Sequence, residues 1–263
     1  MPLTSGQFMK VALEERLAVV TIDHPPVNAL NNQTLQELGQ LLDAIREESG
    51  VKAVIITGGG SLAFGYGADI KEVAQNNSPD ANRAMIALGQ SVFLKVQRLN
   101  KPVIAAVNGV CVGGSLELAM ACHLRVSGDR ARFGQPELNL GIMPGWGGTQ
   151  RLPRLIGRTK AAEWILTGDT VLAQEALRVG LVNQVVPQDQ VLKAAKDLAR
   201  KIIQKGAVAV TQVLWAMEEG SRGTLEDGLA KEAEAFGKVL ASEDAKEGIT
   251  AMLEKRQPQF KDR

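Results

Sequence analysis

The sequence predicts a layered α/β fold with a helical region at its C-terminal end. Three observations carry that expectation. Apolar runs of strand length alternate with segments of helical periodicity, a rhythm that builds a sheet with helices packed on it. Glycine-containing segments follow the strand-like runs, where α/β folds tend to place ligand sites. Beyond about Gly206 helical patterns dominate.

Two apolar runs, residues 8–13 and 17–22, flank the charged turn Glu14, Glu15 and Arg16 and read as a hairpin. From residue 32 to residue 48, Leu35, Leu38, Leu41, Leu42 and Ile45 recur at helical spacing, and a strand over 51–57 follows at once. A second, looser cycle joins a helix over 82–99 to a strand over 102–107. Gly58, Gly59 and Gly60 follow the first of these strands, and Asn108-Gly109 and then Gly113-Gly114 follow the second. The later helical patterns cover 207–217, 224–240 and 242–256. We divide the chain accordingly into a core domain, residues 1–204, and a C-terminal helical region, residues 205–263.

Composition narrows the class. The 263 residues are 45% hydrophobic, enough to bury a substantial core. Thirty basic and twenty-nine acidic residues leave a net charge of +1, with no long Lys/Arg run to track a phosphate backbone, so nucleic acid is not an expected partner. The first residues lack a basic flank, an apolar core and a small-residue cleavage site, and the apolar runs are short, so neither export nor a membrane span is expected. Cys111 and Cys122 sit in apolar company and read as reduced core thiols, which points to a cytoplasmic protein. His24 and His123 lie far apart and offer no evident metal cluster.

Residues 64–72 combine glycines, which allow an unusual backbone path, with Asp69 at a possible helix start. Residues 108–119 set paired glycines before a helix-forming run, where free amides can bind an anion. Two N–H donors converging on one oxygen would form an oxyanion hole, suited to a thioester carbonyl that gains charge as an enolate develops. Singly, such glycines more often serve turns and packing. Glu117 alone would be a solvated carboxylate, but Leu116, Leu118, Ala119, Met120, Ala121 and Cys122 make its helix apolar nearly all round, so partial burial is expected. Glu137, in a glycine-rich loop, is by itself an ordinary loop carboxylate. Cys111, Ser115 and His123 do not make a nucleophilic set, because Ser115 lacks a G-x-S-x-G context.

Four motifs occur in order: G-A-D-I-K-E at 67–72, P-V-I-A-A-V-N-G at 102–109, G-G-x-x-E-L-A at 113–119, and F-G-x-P-E-x-x-x-G-x-x-P-G-x-G-G-T-Q-R-L at 133–152. With this spacing the whole chain resembles the enoyl-CoA hydratase (crotonase) family, in particular its bacterial short-chain members. The resemblance implies a crotonase-like spiral of repeated ββα units, with the C-terminal helices serving trimerisation in a homotrimer or a hexamer of two trimers. It implies reversible hydration of a trans-2-enoyl-CoA to a 3-hydroxyacyl-CoA, as in fatty acid β-oxidation or related acyl-CoA degradation. Glu117 and Glu137 would be the catalytic acid/base pair, the backbone N–H groups of Ala68 and Gly114 the oxyanion hole, and Gly145 a backbone position beside the reacting water. The acyl-CoA would run near Val27, Ala29, Ala68, Asp69, Ile70, Lys71 and Trp146, while Phe236 and Lys255 match positions that reach the CoA of a neighbouring subunit. No cofactor is implied, since CoA is part of the substrate.

Two carboxyls around one water repel each other's charge, which favours one protonated and one ionised group. We expect Glu137 to protonate C2 and Glu117 to hold or deprotonate the water, although coupled carboxyls can exchange these parts. This chain departs from the family pattern at Tyr66, where Ala is frequent, at Ser115, where a third glycine is frequent, and at Trp146, where a small residue is common. The indole of Trp146 would shorten the acyl pocket. Three alternatives compete. An enoyl-CoA isomerase needs only one carboxylate, an RNA-binding relative is opposed by the balanced charge, and a thioester hydrolase needs water directed at the carbonyl.

Overall fold

The computed structural model of the protein describes residues 3–75 and 78–263. Strands β1 (Met9–Glu14) and β2 (Leu17–Ile22) form the expected hairpin, and α1 (Asn32–Glu47) buries Leu35, Leu38, Leu41, Leu42 and Ile45. It starts there because the Asn31 side chain accepts the Thr34 N–H. Strands β3 (Ala53–Gly58) and β4 (Ala63–Gly65) follow, then α2 (Ile70–Gln75) and α3 (Pro79–Gln97). The helix expected over 82–99 begins earlier, at Pro79: Ser78 caps it through the Ala81 N–H, and proline suits a first turn that needs no N–H.

The chain continues through β5 (Val103–Val107), β6 (Val110–Val112), α4 (Gly114–Ala121), β7 (Leu124–Gly128), β8 (Arg132–Gly134) and a 3₁₀ turn, Pro136–Leu140. Next come α5 (Gly148–Ile156), α6 (Arg158–Thr167), β9 (Thr170–Leu172), α7 (Ala173–Arg178), β10 (Gln184–Val186) and α8 (Val191–Ile203). Each of the pairs β3/β4, β5/β6 and β7/β8 gives one strand to a six-stranded sheet, ordered β1-β2-β3-β5-β7-β10, and one to a four-stranded sheet, ordered β4-β6-β8-β9. Successive pairs add in parallel, so every ββα unit advances both sheets by one strand, and a spiral results.

The central strands β2, β3 and β5 of the larger sheet are covered on both faces, which is why they read as continuous apolar runs. Ala18, Val20, Val54, Ile56, Val103 and Ala105 join the main core with α1, α3 and α4. The alternate residues Leu17, Val19, Ala53, Ile55, Ile104 and Ala106 pack under Val191, Ala195 and Ala199 of α8. Beyond them come α9 (Ala207–Gly220), α10 (Leu225–Leu240) and α11 (Glu243–Leu253), with Thr224 and Ser242 as caps rather than as first helical residues. The chain end returns to the core: Asp262 accepts from Arg16 at 2.7 Å, Lys52 at 2.6 Å and the Ala207 N–H at 3.0 Å.

Candidate active site

Strands β4, β6 and β8 lie side by side in parallel, so the residues that leave their carboxyl ends converge. These are residues 66–69, 113–117 and 135–137, from three separate stretches of sequence. Open parallel sheets generally place ligands at such ends.

Ala68 forms a parallel bridge with Leu30, whose N–H donates to the Gly67 carbonyl at 2.8 Å and whose carbonyl accepts the Asp69 N–H at 2.9 Å. In that pattern Ala68 turns its own N–H away from Leu30. Gly114 opens α4, and the helix has no acceptor for the N–H of its first residue. The two amides are neighbours: a Cβ built on Gly114 would lie 3.4 Å from the Ala68 nitrogen, and one on Gly67 would lie 3.2 Å from the Gly114 nitrogen. Buried Ser115 ties the segments together by accepting the Gly67 N–H on its hydroxyl at 2.9 Å. Gly113 must be glycine, since its φ of 55° is left-handed and a Cβ would stand 3.3 Å from Glu137 Oε1.

Every residue of α4 is buried, and Glu117 is 2% exposed. Its Oε1 accepts the N–H of Trp146 at 2.8 Å and that of Gly148 at 2.6 Å, at the start of α5. Burial pushes its pKa up to about 7, and the charge of Glu137 adds to the rise, while the two N–H bonds and Arg151 oppose it. Glu137, half-buried in the 3₁₀ turn, is likewise pushed up to about 7, chiefly by burial. Gln135, fully buried, donates to both Glu137 oxygens, at 3.0 and 3.2 Å, when its amide nitrogen is turned towards them. Two interacting carboxyls that both titrate near neutrality can hold one proton between them. Such a pair can offer one base and one acid, and the neighbouring Ala68 and Gly114 amides can offer two N–H donors.

The remaining sequence candidates fall in two groups. Val27 and Ala29 run beside residues 66–69, with the Val27 carbonyl accepting the Tyr66 N–H at 3.1 Å and the Ala29 carbonyl accepting from His24 Nδ1 at 2.6 Å. Asp69 caps α2 by accepting the Lys71 N–H at 2.9 Å, and Ile70 and Lys71 are exposed on its first turn. The Gly145 carbonyl accepts from Gln90 of α3 at 2.8 Å. Trp146 is buried, its indole wedged between Gly89 of α3 and Gly114, where a Cβ on either would come within 2.4 or 2.5 Å of the ring. Its Nε1–H donates to the Met85 carbonyl at 3.3 Å, and Phe93 meets it edge-on at 5.7 Å. Phe236, by contrast, is exposed on α10, which packs on α9 and α11, and Lys255 is exposed in the turn after α11 at a φ of 54°, because the helix expected to run to residue 256 ends at Leu253. Within one chain they are not brought to the Glu117 centre.

Sequence reasoning missed the supporting residues. Asn28, buried at a φ of 55°, holds the 27–30 turn by donating to the carbonyls of Gly59 at 3.0 Å and Ala63 at 2.9 Å. Only its turn-forming type signalled this. Ser115 stood out as a departure, but its partner Gly67 is 48 positions away. Among the described residues no group of three or more His, Cys, Asp or Glu side chains is placed to hold a metal ion.

The sequence model of the enoyl-CoA hydratase/isomerase family matches residues 12–263. The chain belongs to that family. It is 46% identical over 252 residues to the short-chain-enoyl-CoA hydratase of Clostridium acetobutylicum, covering 95% of this chain and 96% of that protein. Over 248 residues it is 46% identical to the crotonyl-CoA hydratase of Syntrophomonas wolfei, covering 94% and 95% of the two chains. The crystal structure of an enoyl-CoA hydratase from Bacillus anthracis superposes with a TM-score of 0.94 at 38% identity, covering 98% of this chain and 100% of that one. The fold is thus the crotonase fold that the motifs implied. Among the described residues no helix is long and apolar enough to cross a membrane.

Proposed function

We propose that the chain is an enoyl-CoA hydratase, adding water reversibly across the 2,3 double bond of a trans-2-enoyl-CoA to give the 3-hydroxyacyl-CoA. The observation that carries this reading is the pair of carboxyls, Glu117 and Glu137, both raised to about 7 beside the Ala68 and Gly114 amides. The thioester oxygen accepts from the two N–H groups, whose stabilisation grows as the enolate forms; loss of one such donor typically costs about 10²–10³ in rate. Ionised Glu117 holds the water and takes its proton, the water oxygen bonds to C3, and protonated Glu137 delivers a proton to C2. An isomerase, moving a single proton, would leave one of these buried carboxyls without a task.

The relatives named for short-chain and crotonyl substrates support a short acyl group, and Trp146 gives a reason in this chain. Its indole fills the gap between α3 and α4 that a longer chain would otherwise enter. CoA would lie along 27–29 and 68–71, with no further cofactor. We also propose a trimer, or a hexamer of two trimers, built in the cytoplasm through the helical region 205–263. There Leu225, Leu229, Phe236, Met252 and Leu253 are exposed within a single chain, and Phe236 and Lys255 would meet a neighbour's CoA.

Crotonyl-CoA tests the reaction. Loss of the conjugated absorbance without release of free thiol is the expected result. Unchanged absorbance, or thiol release, would overturn the assignment.

A further inference from the structure

Arg151, next to the end of the last motif, has no part in the chemistry above, yet it lies against the backbone that holds Glu117. Arg151 of α5 donates from Nη1 to the Trp146 carbonyl at 2.9 Å. The Trp146 N–H, on the preceding peptide, is one of the two donors to Glu117. From Nε the guanidinium donates to Gln97 Oε1, at the end of α3, at 2.9 Å. Gln97 in turn donates to Glu218 of α9 at 2.7 Å, and Glu218 also accepts from Arg222 at 2.8 Å. A continuous chain of hydrogen bonds therefore runs from a catalytic carboxyl, through residues 146–148, to the C-terminal helices.

We propose that Arg151 is a positioning residue for Glu117: it fixes the 146–148 backbone that donates to the carboxyl, keeps a cation beside it, and is anchored to α9 through Gln97 and Glu218. A planar guanidinium can make both bonds at once, whereas an ammonium supplies the charge without the fork. The titratable and charged groups acting on Glu117 are Glu137 and Arg151. Those acting on Arg151 are Glu117, Glu218 and Cys122. Arg151 is thus the cation in this set that acts on Glu117, where it counters the repulsion from Glu137. It also lines a cavity of about 660 Å³ between α5 and α9, which gives a small solute a route to its position.

The inference rests on the hydratase reading, and its test uses the full-length protein with crotonyl-CoA across a range of pH. In Arg151→Ala the acid limb of kcat/KM, which reports ionisation of Glu117, moves up by roughly half a pH unit or more, because an opposite charge holds a carboxyl's pKa down. kcat falls by about tenfold while KM changes little. Millimolar guanidinium chloride restores part of kcat and returns the limb towards its original place. Arg151→Lys keeps the limb in place but not the full kcat. A limb that stays put in Arg151→Ala, with no response to guanidinium, overturns the proposal. If Arg151→Ala does not fold, Arg151→Lys and Gln97→Met decide: kcat equal to that of the unmodified protein in both overturns it, and a selective loss of kcat supports it. Inactivity of the unmodified protein would count against the hydratase reading instead.

Discussion

Glu117→Gln should stabilise the protein at alkaline pH while it abolishes most turnover. The folded carboxyl keeps its proton up to about pH 7, whereas in the unfolded chain it releases it near the ordinary value of 4.5. Between those values the folded state binds more protons, so stability falls as pH rises, and the loss is complete above about 7. At about 1.4 kcal/mol per pKa unit the full shift corresponds to roughly 3 kcal/mol. Part of the rise belongs to repulsion from Glu137, so about 1–3 kcal/mol is expected from removing the Glu117 charge alone. Glutamine keeps an oxygen for the Trp146 and Gly148 N–H groups, so the cradle survives. For a chain of this size the gain corresponds to a rise in Tm of roughly 2–6 °C at pH 8, shrinking to nothing near pH 4.5. Thermal unfolding of both proteins at the two pH values measures it. A variant that melts at or below the unmodified protein at pH 8 would refute burial as the cause of the raised pKa.

Three further outcomes follow from the same geometry. The pH profile of kcat/KM should be a bell with both limbs near neutrality, since protonating both glutamates removes the base and ionising both removes the acid; a profile flat from pH 5 to pH 9 contradicts this. Ser115→Ala deletes the acceptor for the Gly67 N–H and loosens the Ala68 donor, so kcat should fall about five- to tenfold, the size of one hydrogen bond, with KM nearly unchanged. Steady-state kinetics on crotonyl-CoA check it. Trp146→Phe opens space between Gly89 and Gly114 and should raise kcat/KM for a longer-chain enoyl-CoA relative to crotonyl-CoA; an unchanged ratio removes Trp146 from the acyl pocket.

The elements legible in the sequence were those whose pattern repeats. Five apolar residues at helical spacing were enough for α1, and continuous apolar runs were enough for β3 and β5, because the larger sheet is covered on both sides. Strands β4, β6, β8 and β9 are three residues each, too short to complete a period, and the first three lie in or at the edge of what read as glycine-rich segments. The start of α3 escaped because Ser78 and Pro79 precede its periodic residues. At the site, the apolar faces of α4 foretold the burial of Glu117. The juxtaposition of Ala68 with Gly114 depends on β4 lying beside β6, which no local pattern encodes. For the same reason Asn28 and Arg151 went unnoticed, since their partners lie in other turns of the spiral.

The central claim is that Glu117 and Glu137 act together on one water, and a double-mutant comparison tests it most directly. Turnover of crotonyl-CoA is measured for Glu117→Gln, Glu137→Gln and the double variant, with binding of the 3-hydroxyacyl-CoA product as a check on the site. Each single change should lower kcat by about 10²–10⁴, and the double variant should fall little further, because groups that act as a unit lose their effect together. Near-normal turnover in either single variant, or losses that multiply in the double, would contradict a shared water.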